Sequence, residues 1–198
     1  KLPYAEKEVN SIAKIFGQPN STVEVGAAAT KDKFAELVPN AVEIHLATHG
    51  LVDEEHPMRS AVVLAPTDTD DGMLSVRDIL TLKNLKARIV VLSACQTGRG
   101  KITGDGVVGL SRAFIIAGAP SVLVSQWNVD DLMTGFQMEK FYRFYLKGAD
   151  RAHALRDAQV ATIRYMENVP DGQTVAHEKD KVRANPRYWA AFQLIGEI

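Results

Sequence analysis

In RIVVLSACQTGRG, residues Arg88–Gly100, a run of apolar residues passes into a cluster of small ones. Ile89–Leu92 is continuous and rich in β-branched side chains, the pattern of a strand buried on both faces. Ser93-Ala94-Cys95 are small and let the chain turn sharply after that strand. Gly98 and Gly100 then allow backbone angles that residues carrying a Cβ avoid. The reading is a core strand that delivers one thiol to its C-terminal edge, where open α/β sheets place their chemistry. Cys95 is the sole cysteine, so neither an intramolecular disulfide nor a cysteine metal cluster accounts for it. Free cysteine is also a common buried filler, so its role rests on what surrounds it.

Outward from this stretch, helical and strand patterns alternate. Before it, Tyr4–Phe16 carries Ala5, Val9, Ile12, Ala13 and Phe16 at helical spacing and is stopped by Gly17-Gln18-Pro19-Asn20. Thr22–Val25 reads as a short strand, and Thr30 as the cap of a helix through Phe34, Leu37 and Val38 that closes at Pro39-Asn40. Val42–Thr48 is a strand with Val42, Ile44, Leu46 and Thr48 on one face, ending in His49-Gly50. Ser60–Ala65 is another strand, Pro66–Gly72 a turn, and Ser75 caps a short helix to Thr81. After the central stretch come a glycine-rich loop to Gly104 and a helix from Asp105 to Ala117. Gly118-Ala119-Pro120 precedes a strand at Ser121–Ser125, then helices follow at Asp131–Leu146 and Arg151–Met166. Glu167–Arg187 reads as a polar loop, in which Lys179, Lys181 and Arg183 are points open to self-cleavage. Tyr188–Ile195 is a final strand or short helix. This alternation implies an α/β fold with a mainly parallel sheet and helices on both faces.

Composition narrows the function. With 198 residues, 46% of them hydrophobic, the chain can bury one sizeable core, and no repeat or linker divides it. A net charge of −1 offers no basic field for nucleic acid or an anionic membrane surface. No apolar run approaches the roughly 20 residues of a membrane span. A single cysteine fits a reducing cytoplasm. The chain begins at Lys1 without an initiator Met, which suggests one domain of a longer protein whose regulatory part lies elsewhere.

The second piece of chemistry is His49. It ends a strand and precedes a glycine, much as Cys95 ends a strand shortly before one. On neighbouring parallel strands both residues fall at the same sheet edge. A nearby imidazole accepts or balances the thiol proton and makes the sulfur a nucleophile, then returns the proton to a leaving amine. Backbone amides of Gly50 and Cys95 are positioned to hold the tetrahedral oxyanion. Of the five histidines, His56, His153 and His177 lie in polar contexts, and His45, mid-strand on the more polar face, reads as structural.

Five segments carry a family resemblance: HLATHG (His45–Gly50), VVLSACQTG (Val90–Gly98), GDGVVGLSRAF (Gly104–Phe114), SVLVSQWNVDD (Ser121–Asp131) and YWAAFQLIG (Tyr188–Gly196). In order and over nearly the whole length, they resemble the CHAT domain, part of the caspase, separase and gingipain group of cysteine peptidases. The resemblance implies a caspase-like fold with His49 as general base and acid, Cys95 as nucleophile, and Gly50 and Cys95 as oxyanion donors. No cofactor is expected. CHAT domains are commonly fused behind helical repeats, often of tetratricopeptide type, which suits a regulatory region before Lys1. Trp127–Asp131 resembles the loop in which separases place an acid that receives an arginine side chain. Asp131 matches that acid best and Asp130 next; a carboxylate there pairs with a P1 guanidinium. Either aspartate alternatively caps the following helix. Metacaspases carry an Asp two residues before the cysteine, where this chain has Ser93, so their basic pocket and calcium dependence do not transfer.

Two rival motifs fail on context. Gly104-Asp105-Gly106-Val107-Val108-Gly109 spells a dinucleotide fingerprint, but a loop separates it from the preceding strand and no acid ends the next strand. His45 and His49 have zinc-protease spacing, yet Leu46 replaces the glutamate and a strand holds the two roughly 13 Å apart at 3.3 Å per residue. The expectation is a cytoplasmic, prokaryotic CHAT-type cysteine endopeptidase that cleaves a protein substrate after a basic residue, Arg over Lys. It is gated by a regulatory domain or partner. The alternative is a catalytically silent caspase-like interaction module.

Overall fold

Local chemistry starts the helices where the sequence places them. In the computed structural model, which describes residues 3–53, 55–96, 104–127, 130–168 and 184–198, α1 spans Pro3–Phe16 and α2 spans Lys31–Leu37. Thr30 caps α2, its hydroxyl accepting the Lys33 N–H at 3.2 Å. Ser75 and Asp78 form a reciprocal capping box that starts α3 (Val76–Thr81). Four further helices follow: α4 (Gly104–Ile116), α5 (Asp131–Tyr145), α6 (Arg151–Asn168) and α7 (Pro186–Trp189).

The strands are β1 (Glu43–Leu51), β2 (Ala61–Val63), β3 (Met73–Ser75), β4 (Ile89–Gln96), β5 (Ser121–Ser125) and β6 (Phe192–Gly196). Among the described residues they form one six-stranded sheet in the order β3-β2-β1-β4-β5-β6. β1, β4 and β5 are mutually parallel at its centre, while β2 and β6 each pair antiparallel with their neighbours. β3 turns back antiparallel to β2 and so runs with β1, which leaves the sheet mainly parallel. The turn into β3 uses Gly72 at φ +75, where a Cβ would meet the Leu64 carbonyl oxygen at 2.5 Å.

Helices cover both faces, as the alternation predicts. Along β1 and β4 the even-numbered residues Ile44, Val90 and Leu92 pack with Ile79 of α3 and Ala113 and Phe114 of α4. The odd-numbered Ile89 and Val91 pack with Ile12 of α1, Met138 and Phe141 of α5, and Ala158 of α6. Ile89–Leu92 is at most 2% exposed, which fits its two-sided apolar run. Each such side chain contributes about 1.5–3 kcal/mol through burial.

Several local expectations are corrected. Thr22–Val25 forms no strand and pairs with none of the described strands. His49-Gly50 does not end β1: β2 folds back beside it and pairs with His49–Leu51. Ser93–Cys95 does not turn but continues β4 to Gln96, held by pairing with β1 through Gly50. β3, three residues long, lies below the length at which alternation is readable. Residues Tyr188–Ile195 divide between the helix α7, started by Asn185 and Pro186, and the strand β6. The loops expected at 97–103 and 169–183, with Lys179, Lys181 and Arg183, lie outside the described residues. Among the described residues no helix is long and apolar enough to cross a membrane.

Candidate active site

β1 and β4 pair in parallel without interruption from Glu43↔Ile89 to Gly50↔Gln96, and this ladder sets His49 directly opposite Cys95. Neighbouring strands lie about 4.8 Å apart, and register partners in a parallel pair occupy the same face. The expected meeting of these two residues at one sheet edge is therefore a property of the backbone. β4 outruns its pairing with β5, which stops at Leu92↔Val124. On that side the backbone at Cys95 has no strand partner among the described residues, so the sheet opens there.

His49 is held from its other side by β2, where it pairs with Val63. The neighbouring Thr48 hydroxyl donates to the Val63 carbonyl at 2.5 Å and locks the two strands together. The His49 Nδ1 atom is buried and has no hydrogen-bond partner among the described residues. Gly50 is buried too, flanked by Val62 of β2 and Gln96 of β4. It sits inside the ladder, not at the strand end the sequence suggested.

The two aspartates at the start of α5 are treated differently. Asp130 is its N-cap: Oδ1 accepts the backbone N–H groups of Leu132 at 3.1 Å and Met133 at 3.0 Å. Asp131 is the first residue of the helix. The segment leading there is pinned to the far edge of the sheet. The Gln126 N–H donates to the Ala191 carbonyl at 2.8 Å, the Gln126 and Gln193 side chains bond each other, and Trp127 Nε1–H donates to the Arg187 carbonyl at 2.9 Å.

Deeper on the same face lies a cluster that sequence reading missed in all but one member. His45 Nε2 is 2.9 Å from Glu8 Oε1, and its Nδ1 is 3.1 Å from the Tyr142 hydroxyl. In the neutral imidazole these contacts fit one tautomer: Tyr142 O–H donates to Nδ1, and Nε2–H donates to the carboxylate. Burial, then the nearby Glu43 and Glu8 carboxylates, holds the Tyr142 phenol well above its ordinary pKa and keeps that donor protonated. Burial also pushes the Glu43 carboxyl up, opposed by the Arg88 guanidinium. Glu8 had left a signal: it stands between Ala5 and Ile12 on the apolar stripe of α1. A carboxylate in such a stripe needs a partner.

The architecture is caspase-like: a mainly parallel sheet between helical layers, with a histidine and a cysteine paired on adjacent strands near their C-terminal ends. The chain belongs to the CHAT domain family, whose profile matches residues 1–197. It is similar to tetratricopeptide repeat protein 28 of Homo sapiens and of Mus musculus, 30% identical to each over 98% of its own length. The chain spans only 8% of the length of either relative. Both are mammalian, so similarity to this chain is not confined to prokaryotes.

Proposed function

We propose that this chain is a cysteine endopeptidase domain, residues 1–198 acting as one unit of a longer cytoplasmic polypeptide. The observation that carries the reading is the register His49↔Cys95 on adjacent parallel strands. His49 takes the Cys95 thiol proton, and the thiolate attacks the substrate carbonyl carbon. The resulting oxyanion is met by backbone amides, with that of Cys95 favoured over that of Gly50 because β4 has no strand partner there on its β5 side among the described residues. Collapse to a thioester releases the amine, protonated by His49. Water activated by His49 then frees the second product and regenerates the thiol.

Specificity is assigned to Asp131 as the acid that meets a P1 arginine. Asp130 supports this division because its Oδ1 is already committed to two helix amides. The names of the two relatives support a tetratricopeptide-type region as regulator, which restrains the protease until an activating partner binds.

The test is covalent trapping in the full-length polypeptide with its activating partner, using peptide acyloxymethyl ketones carrying Arg or Asp at P1 and read by intact mass. Stoichiometric labelling by the Arg probe alone, lost in His49→Ala, is the expected result. Labelling by the Asp probe instead keeps the protease and removes the acidic pocket. If neither probe reacts while a small alkylator still reaches Cys95, the domain is a silent interaction module.

A further inference from the structure

Among the described residues, His49 Nδ1, Thr134 Oγ1 and Gln137 Oε1 are buried polar atoms without a hydrogen-bond partner, and all three fall at one level of the fold. α5 begins beyond the C-terminal end of β5 and runs back against the strands, its height fixed by the contact of Tyr142 with His45. Gln137 and Thr134 stand nearer the helix start than Tyr142, about 7.5 and 12 Å higher at 1.5 Å per residue. A strand climbs about 3.3 Å per residue, so Gln137 is level with Ala47 and Thr134 with Thr48–His49. The β1–β4 ladder carries these levels across to Ser93 and to Ala94–Cys95. At about 100° per residue, Thr134 faces within roughly 20° of Phe141, which packs in one core cluster with Ile89 and Val91 of β4. Gln137 turns toward α7, where its Nε2 donates to the Trp189 carbonyl at 3.0 Å. That bond assigns the amide: its nitrogen must face the carbonyl, so its oxygen is the orphan. The strands change character at the same level. Val91 and Leu123 are followed on this face by Ser93 and Ser125, and the two serines, Thr134 and Gln137 are all at most 7% exposed.

We propose that Thr134 and Gln137 are specificity-determining residues: their orphan oxygens form a floor that accepts the N–H groups of the substrate's P1 side chain. The inference rests on the peptidase reading above and adds to it the groups that meet the end of that side chain. A buried acceptor left unpaired costs stability, and an apolar core has no use for one. His49 Nδ1 is accounted for by proton transfer, but that mechanism uses neither Thr134 nor Gln137. An amide oxygen can only accept, so the group it awaits must donate. Two acceptors on different residues suit the forked N–H groups of a guanidinium better than the compact ammonium of lysine. The floor is neutral, and the acid assigned to Asp131 stands one helical turn nearer the start of α5. Charge and hydrogen bonding are thus divided: the aspartate balances the cation, while Thr134 and Gln137 read its N–H groups.

The experiment compares rates of Cys95 labelling by acyloxymethyl ketones carrying Arg or norleucine at P1, in the full-length polypeptide with its activating partner. Norleucine is a straight apolar chain without donors, so the ratio of the two rates isolates what the floor reads. Thr134→Val and Gln137→Leu should each lower the Arg-to-norleucine ratio about tenfold or more, with norleucine labelling kept or raised. Thr134→Val keeps the shape and removes an orphan hydroxyl, so its urea midpoint should hold or rise. Gln137→Leu also gives up the bond to Trp189, so its midpoint should fall while the ratio still drops. An unchanged ratio in both variants, with both probes still labelling, overturns the floor and leaves the peptidase standing. Equal losses with both probes also overturn it, because they assign Thr134 and Gln137 to packing alone. Labelling of the parent by neither probe removes the peptidase reading, and this inference with it.

Discussion

His45 and His49 stand four residues apart on β1, on the same face, and are held in opposite ways. His45 has both ring nitrogens engaged, by Glu8 and Tyr142, and its side chain is 9% exposed. His49 is fixed by strands on both sides, yet its Nδ1 has no partner among the described residues. The difference is that between a histidine whose ring is fully engaged in the core and one that keeps a nitrogen to spare, as its proposed role requires. A fully bonded imidazole can move no proton without breaking a buried network, whereas a positioned one with a spare nitrogen can.

The sharpest way to break this contrast is to remove each ring in turn. His49→Ala should lower the rate of Cys95 labelling by the Arg probe by about 10²–10⁴-fold, the usual weight of a positioned acid–base group. Its urea midpoint should stay near that of the parent. His45→Ala should do the reverse. Stranding the Glu8 carboxylate, which is 5% exposed, costs about 3–5 kcal/mol, so the urea midpoint falls while labelling per folded molecule is kept. Equal losses of both kinds in both variants would erase the distinction.

The paired aspartates extend the comparison at smaller scale. Asp131→Asn should reduce Arg-probe labelling at least tenfold and leave stability unchanged, since a lost guanidinium–carboxylate pair is a binding effect. Asp130→Ala should cost about 1 kcal/mol of stability through loss of the α5 cap and leave the P1 preference intact. If the two phenotypes exchange, the pocket belongs to Asp130.

The smallest effect is electrostatic and lies beside β3, at the edge of the sheet. Lys31 sits 2.8 Å from Asp70, and that bond, with one from the Gly72 N–H, holds the Asp70 carboxyl below its ordinary pKa. A carboxyl depressed in the folded state adds stability above its unfolded pKa of about 3.9, and that stability is lost as pH falls through the folded value. Asp70→Asn should therefore slightly lower the melting temperature at pH 7 and flatten its decline below about pH 4, where parent and variant converge.

Features dictated locally were legible in the sequence, and those that needed a distant partner were not. Thr30 and Ser75 announced their helices because a cap acts within three residues. The paired strand ends were legible because parallel neighbours present equivalent ends together. Thr22–Val25 was misread because β-propensity cannot show whether a partner strand exists. Ser93–Cys95 was misread because small residues suit a turn and a ladder equally, and only the reach of β1 decides between them. The Glu8–His45–Tyr142 cluster joins residues 37 and 97 positions apart, a separation that no period records. The role of Asp130 as cap was one of two open readings, and only its two amide contacts selected it.

The ladder that sets His49 against Cys95 has a consequence for when the proposed activity can exist. Successive residues of a strand alternate between faces, so a slip of one position between β1 and β4 would put imidazole and thiol on opposite sides of the sheet. On that reading a nascent, misannealed or partly melted chain is proteolytically mute, whatever the proposed regulator is doing. The register works as an interlock: destructive chemistry is withheld until the strand core has closed correctly, and it disappears as soon as that core comes apart.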